Sequence, residues 1–239
     1  MPESMCWRAS SLLAISLTAT AHASGEYVRT HAVTNSTFLG FFNFFTDSDP
    51  THGFVDFVDQ DDALNSGLLK LDNGQIIMAA DNVNDTSTGR RSVRVQSNPT
   101  FTEAIFIIDL EHMPSGCGTW PAFWTVGPNW PSAGEIDIIE GVNRQMHDQT
   151  TLHTSQGCDQ SSVDPSTFTG AWGKAEDGQT NGTNCWVQAP GEFQNAGCAI
   201  IADDPTSYGV PFNDHKGSVL VQLHVVQYCV HWDTYAYDP

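Results

Sequence analysis

Gly134-Glu135-Ile136-Asp137-Ile138-Ile139-Glu140-Gly141 is the stretch on which the reading of this chain turns. It is short, its apolar residues are β-branched, and carboxylates alternate with them at the start, which is the pattern of a strand with one open and one buried face. On a regular strand Glu135 and Asp137 share one face while Ile136 and Ile138 enter the core. Glu140 breaks the parity. Three positions after Asp137, it would point in among the isoleucines, charged and unpaired, at a prohibitive cost. One extra residue at Ile138-Ile139, a β-bulge, restores the parity and brings all three acids to one surface, and bulges are frequent beside active sites. The Cα atoms of Glu135 and Glu140 are then ~14 Å apart by strand rise, most of which two Glu side chains leaning together can close.

Three acids on one face repel, and the repulsion raises at least one pKa. A structural protein gains nothing from this. An enzyme that splits a glycosidic bond with retention needs one ionised carboxylate as nucleophile and one protonated carboxyl as acid, roughly 5 to 5.5 Å apart. Asp137, between them, can hydrogen-bond the nucleophile and keep the two titrations apart. The competing readings are a solvated acidic surface and a divalent-ion site. Calcium sites draw their oxygens from loops with Gly and Asn, so a strand flanked by Trp is a poor match, and neither a metal nor an organic cofactor is expected.

The surroundings suit a sugar. Gly118-Thr119-Trp120-Pro121-Ala122-Phe123-Trp124 and Asn129-Trp130-Pro131 set three indoles near the acids, and a flat ring with a polar edge fits the apolar face of a pyranose. Trp in a sandwich is as often core as platform; Trp120 and Trp130, beside Pro in loop-like segments, are better placed than Trp124. Arg94 is a donor to sugar hydroxyls or a salt-bridge partner, and His153, just after the acidic strand, reaches the same cleft or is structural.

Around this centre the chain reads as strands and turns. Phe38–Thr46, Gly53–Val58, Gln75–Ala80, Ser92–Gln96, Ala104–Leu110 and Ala122–Val126 are short apolar or alternating runs, punctuated by Asp49-Pro50, Asp72-Asn73-Gly74, Ser97-Asn98-Pro99 and Met113-Pro114-Ser115-Gly116. Such spacing indicates a sandwich or barrel. Asp61–Leu71 has a faint helical period that also fits a loop and edge strand, and residues 159–209 read as long loops. No repeat or linker divides the chain.

The whole chain has 239 residues, with Lys+Arg 9 against Asp+Glu 28 and a net charge of −19. So acidic a protein lacks the basic surface that binds nucleic acid or an anionic membrane. Arg8, the apolar run Leu12–Ala21 and Ala21-His22-Ala23 make residues 1–23 a secretory signal, too short for the ~20 apolar residues of a bilayer span. A single domain over 24–239 and an extracellular or cell-wall location follow as expectations, with a monomer as the simplest state. In an oxidising compartment, two disulfides are expected among Cys117, Cys158, Cys185 and Cys198, in a connectivity left open, with Cys229 the odd thiol. Sequons at Asn35, Asn84 and Asn181 fit a glycosylated surface.

These motifs together resemble glycoside hydrolase family 16, in its fungal laminarinase-type branch. Besides the acidic strand, the resemblance rests on Cys117–Trp124, Leu152-His153-Thr154, Asp49-Pro50-Thr51-His52-Gly53, Gly89-Arg90-Arg91-Ser92-Val93-Arg94 and His112-Met113-Pro114. It covers residues 38–158 densely. It implies a jelly-roll sandwich of two curved antiparallel sheets, concanavalin A-like, acting on β-1,3-glucan or mixed-linkage β-glucan with retention of configuration. Carried over by motif, Glu135 is the nucleophile, Asp137 its helper and Glu140 the acid/base, with Arg94, Trp120, Trp124, Trp130 and His153 lining the subsites. A wall glucan transglycosylase and a disabled glucan-binding, lectin-like protein are the alternatives. From about Gly217 the chain departs from the family pattern, so the C-terminal strands are expected to be missing or altered, leaving sheet edges exposed.

Overall fold

A computed structural model describes residues 27–83, 87–224 and 229–236, with backbone alone beyond residue 222. The signal segment 1–23, the Asn84 sequon and the Cys229 side chain lie outside this description. In chain order the strands are β1 Phe42–Phe44, β2 Val55–Phe57, β3 Leu69–Asp72, β4 Gln75–Met78, β5 Arg90–Ser97, β6 Ala104–Leu110, β7 Thr119–Val126, β8 Glu135–Glu140, β9 Gln149–His153, β10 Ala171–Trp172, β11 Cys198–Ile201, β12 Ser218–His224 and β13 Cys229–Ala236. Among the described residues three short α-helices accompany them: α1 Phe38–Phe41, α2 Gln60–Ser66 and α3 Gly209–Asp214.

Among the described residues the largest sheet has nine strands, ordered β1-β5-β13-β7-β8-β9-β11-β10, with β2 added in parallel beside β5. The pairs β6–β12 and β3–β4 form two smaller sheets behind it. Burial shows how these layers are joined. Val93 and Val95 of β5 pack with Leu69 and Met78 of the β3–β4 hairpin and with Phe38 of α1. Phe123 of β7 and Ile138 and Ile139 of β8 pack with Phe106, Ile108 and Leu110 of β6 and Leu220 of β12. The large-sheet strands β5, β7 and β8 thus turn one face to the core and the other away from it. The result is an all-β sandwich, one of the two architectures that the strand spacing allows, of the jelly-roll kind that the resemblance implies.

Local differences from the sequence reading have local causes. The Phe38–Thr46 run begins as a helical turn, because the Phe38 and Phe41 amides donate to the Thr34 and Thr37 carbonyls, and extends only from Phe42. Asp61–Leu71 contains both alternatives in succession. Asp59 caps α2 by accepting the Asp62 amide, Gly67 ends it at φ 74°, and β3 follows. Beyond Gly217, where open edges are expected, β12 pairs with β6 and β13 pairs antiparallel with both β5 and β7, so those edges are filled. The expectation of two disulfides is corrected. Cys185 and Cys198 are bridged, whereas Cys117 lies in the exposed loop before β7, outside any disulfide and apart from the apolar cluster that holds the other three.

The junction of β7 and β8 is braced from behind by Tyr208. Its side chain is 1% exposed, and its hydroxyl lies 2.9 Å from the Pro121 carbonyl oxygen and 2.7 Å from that of Gly141, which share its one proton. Gly141 can have no Cβ there, since Cε1 of the Tyr208 ring would be 2.7 Å from it. Replacing Tyr208 by Phe leaves two buried carbonyls without this donor, so Tyr208→Phe is expected to lose about 1–3 kcal/mol. A lower urea midpoint at unchanged m-value is the measurement that checks it.

Candidate active site

The parity problem at Glu140 is solved by one residue. β7 and β8 pair as Val126↔Glu135, Thr125↔Ile136 and Trp124↔Asp137, and then resume as Phe123↔Ile139 and Ala122↔Glu140. Ile138 is the inserted residue, the bulge lying opposite the Phe123/Trp124 step. Directly opposed residues of an antiparallel pair face the same way. Glu135, Asp137 and Glu140 therefore share a face with Val126, Trp124 and Ala122. Ile138 and Ile139, 5% and 3% exposed, both remain in the core, which the bulge allows and a regular strand does not. On the other side of β8, His153 stands opposite Glu135 and Thr151 opposite Asp137, which adds β9 to the acid face.

Each acid has its own partner. Glu140 accepts a hydrogen bond from the Trp120 indole Nε1 at 3.0 Å, and Glu135 accepts one from Trp130 Nε1. Asp137, 4% exposed, lies 2.9 Å from His153 Nε2. Gly197 makes room for that imidazole: a Cβ on it would meet His153 Nδ1 at 2.7 Å. Trp130 is 44% exposed at one end of the row and Trp120 half-buried at the other, so the two indoles bracket the three acids. Arg94 and Trp124 lie deeper. The Arg94 guanidinium carbon sits 4.4 Å from the Phe45 ring centre and 4.9 Å from that of Trp124, and both residues are below 10% exposure. All eight residues singled out from the sequence thus gather on one face of the sheet.

Burial pushes the Glu135 carboxyl up to about 7, helped by the charge of Asp137 and opposed by His153, the Trp130 N–H and Arg94. Burial likewise pushes Glu140 up to about 8, again helped by Asp137 and opposed by His153 and the Trp120 N–H, while the charge of Glu135 adds to the rise. Near neutrality the site thus holds one carboxyl that ionises first and a second that keeps its proton longer, as general-base or nucleophilic chemistry paired with general-acid chemistry requires.

Two buried residues at this site carry no motif that marks them. Asp148 is 7% exposed and accepts the Glu140 amide at 3.1 Å; burial raises its carboxyl to about 7 against that amide and the amide of Gln149. Tyr208 is the second. Only a count of the backbone groups left unpaired after the bulge could have pointed to Asp148, and that count needs the register of three strands.

Comparison with known proteins bears on the family and the fold. Residues 42–233 match a family described as XgeA-like, catalytic GH16 domain. A probable glycosidase of Schizosaccharomyces pombe is 44% identical over 186 residues, 78% of this chain and 42% of that protein. An endo-1,3(4)-beta-glucanase of Emericella nidulans is 37% identical over 97% of this chain and 36% of its own length, so the chain spans well under half of these curated relatives. Among solved structures, an elongating GH family 16 beta-1,3-glucosyltransferase has a TM-score of 0.72 at 30% identity, over 86% of this chain and 82% of its own. Laminarinase 16A from Phanerochaete chrysosporium, with beta-glucans in donor and acceptor sites, has 0.71 at 30% identity, over 85% and 82%.

Carboxyls raised in the fold link stability to pH with a definite sign. The stability contributed by the bound protons is complete below the ordinary carboxyl range, and it is lost as pH rises through about 7 for Glu135 and Asp148 and about 8 for Glu140. Urea midpoints are expected to fall across that window and level off above it. In the Glu135→Gln/Glu140→Gln double variant the decline should be shallower; an equal slope would show that these two carboxyls do not carry it.

Proposed function

Because this chain belongs to glycoside hydrolase family 16, we propose that it cleaves internal bonds of β-1,3-glucan, or of mixed β-1,3/1,4-glucan, by a retaining double displacement. Glu135, ionised, attacks the anomeric carbon. Glu140, protonated, gives its proton to the leaving glycosidic oxygen as the bond breaks, which leaves a glycosyl–Glu135 ester. Glu140, now a carboxylate, removes a proton from the water that attacks the same carbon, and Glu135 departs ionised. The observation that carries this reading is the inserted Ile138, which puts Glu140 on the face of Glu135 and Asp137 and within reach of Trp120.

The remaining side chains have roles in the same scheme. Asp137 is buried within hydrogen-bond reach of His153, and its charge helps to raise the carboxyls of both its neighbours. Trp130, exposed beside Glu135, and Trp120, beside Glu140, offer indole faces to the sugars on either side of the scissile bond. Arg94 and Trp124, stacked beneath, form the floor on which the reducing or non-reducing side rests. Residues 1–23 read as an export signal, and the activity proposed is accordingly extracellular, on wall or environmental glucan.

Transfer to a sugar acceptor in place of water uses the same glycosyl–enzyme, and likeness to an elongating β-1,3-glucosyltransferase supports it as the second reading. Sizing the products of laminarin separates the two, since transfer yields chains longer than the donor.

With Glu135 replaced by Gln, release of reducing sugar from laminarin should cease while the unfolding transition persists; retained turnover excludes the nucleophile role. Glu140→Gln should lower kcat about 10²- to 10⁴-fold. For the free enzyme, kcat/KM should rise as Glu135 ionises at about 7 and fall as Glu140 ionises at about 8, a narrow bell measurable with laminarin across neutral pH.

A further inference from the structure

The ladder between β8 and β9 stops at the bulge. Glu135, Ile136 and Asp137 have partners in His153, Leu152 and Thr151, and the register goes no further. Past that point the backbone of β8 continues to pair with β7 on one side only. The N–H and C=O groups on the β9 side still need partners, because a buried main-chain group left unpaired is costly.

Two side chains from the start of β9 and just before it supply them. Thr150 Oγ1 donates to the Ile138 carbonyl at 3.4 Å, and Asp148 Oδ1 accepts the Glu140 amide at 3.1 Å. The second bond is the closer of the two, made to a buried carboxyl. Asp148 is itself held at both main-chain ends: its amide donates to Ser207 Oγ at 2.8 Å and its carbonyl accepts the Ala202 amide at 2.9 Å. Ser207 Oγ in turn donates to the Asp204 carbonyl at 2.7 Å. The next residue, Tyr208, closes on Gly141, the residue after Glu140. Residues 202–208 therefore make a fixed bracket, and Asp148 is the arm that reaches from it to Glu140.

We infer that Asp148 is the positioning residue for the acid/base: its carboxylate replaces the missing β9 rung and fixes the main chain from which Glu140 reaches Trp120. The kinetic part of this inference rests on the hydrolase reading above. Asp148 touches no reacting atom and acts through the Glu140 backbone. Its loss lets that residue swing about the end of the bulge, where rotation takes the carboxyl away from the leaving oxygen. The nucleophile, five residues earlier on the fully paired part of β8, is untouched.

The consequence depends on the leaving group. Natural glucan needs Glu140's proton to depart, whereas a dinitrophenolate departs without one. The experiment compares the full chain with Asp148→Leu, which removes the acceptor, and Asp148→Asn, which keeps an Oδ1 acceptor, on laminarin and on a 2,4-dinitrophenyl β-laminaribioside. Asp148→Leu should lose about 10²-fold in kcat on laminarin at little changed KM, and only a few-fold in the burst of dinitrophenolate. Asp148→Asn should restore most of the laminarin rate. Equal losses on both substrates, an unaltered laminarin rate in Asp148→Leu, or an asparagine variant as poor as the leucine one would each overturn the inference.

Should the leucine variant fail to fold, Ser207→Ala loosens the main chain that carries the same carboxyl and makes the same comparison, a loss confined to laminarin supporting the inference and an equal loss on both substrates overturning it. Hydrogen exchange of the Glu140 amide provides a readout independent of turnover. It should be slow in the wild type and in Asp148→Asn and at least about tenfold faster in Asp148→Leu or Ser207→Ala. A wild type inactive on both substrates would sink the hydrolase reading, and the amide exchange would then decide by itself whether Asp148 holds Glu140.

Discussion

A strand can show only every second residue to each face, and the acids of this protein violate that rule. Their spacing of two and then three cannot be served by a regular ladder, so the fold admits an unmatched residue at Ile138. Much of the molecule follows from that insertion. Ile138 and Ile139, adjacent in sequence, both face the core and are met there by Phe106, Ile108 and Leu110 from the second layer. The kink ends the pairing of β8 with β9, and the groups it strands are met by Thr150 and Asp148. Gly141 then has to pass beneath the Tyr208 ring, which only a residue without a Cβ can do.

The electrostatics depend on the same kink. Three carboxyls along one strand face in partial burial would be intolerable if all were ionised, and the protein avoids this by letting two of them hold protons up to neutral pH. Asp137, the most buried of the three, is the one given an imidazole. The outer two receive neutral donors, the indole N–H groups of Trp120 and Trp130, which steady a carboxylate without forcing it to stay ionised. A chain with a net charge of −19 has few cations to offer, and it places one of them, Arg94, where it lowers the Glu135 pKa and lies against aromatic rings.

The bulge was legible before any coordinates because it is a matter of parity: the cost of burying Glu140 exceeds that of one irregular rung. The strands around it were legible because their apolar residues alternate, and the two Trp flanking the acids because each stands next to Pro, although Trp120, expected in a loop, lies within β7. What the chain does between distant segments was not. Asp148 lies in Met146-His147-Asp148-Gln149, which has no pattern to mark it, and its role appears only once β9 is known to stop short. Phe38–Phe41 reads as strand by composition and turns helical because the Thr-rich segment before it captures its amides. The second disulfide was inferred from number alone, and number is silent on distance: three of the four cysteines share an apolar cluster and Cys117 does not.

The order of strands in the large sheet bears on how the molecule comes together. β13 occupies the slot between β5 and β7, strands that begin about 140 and 110 residues earlier, and each strand slot is about 4.8 Å wide. Arg94 and Trp124, which touch in the finished protein, belong to those two strands and are held in register through the one between them. During synthesis the two halves of the face that carries Arg94 and Trp124 must wait as open margins until the late strand arrives to join them. Such remote pairing makes assembly slow, and for its duration it leaves two adhesive borders exposed to neighbouring chains.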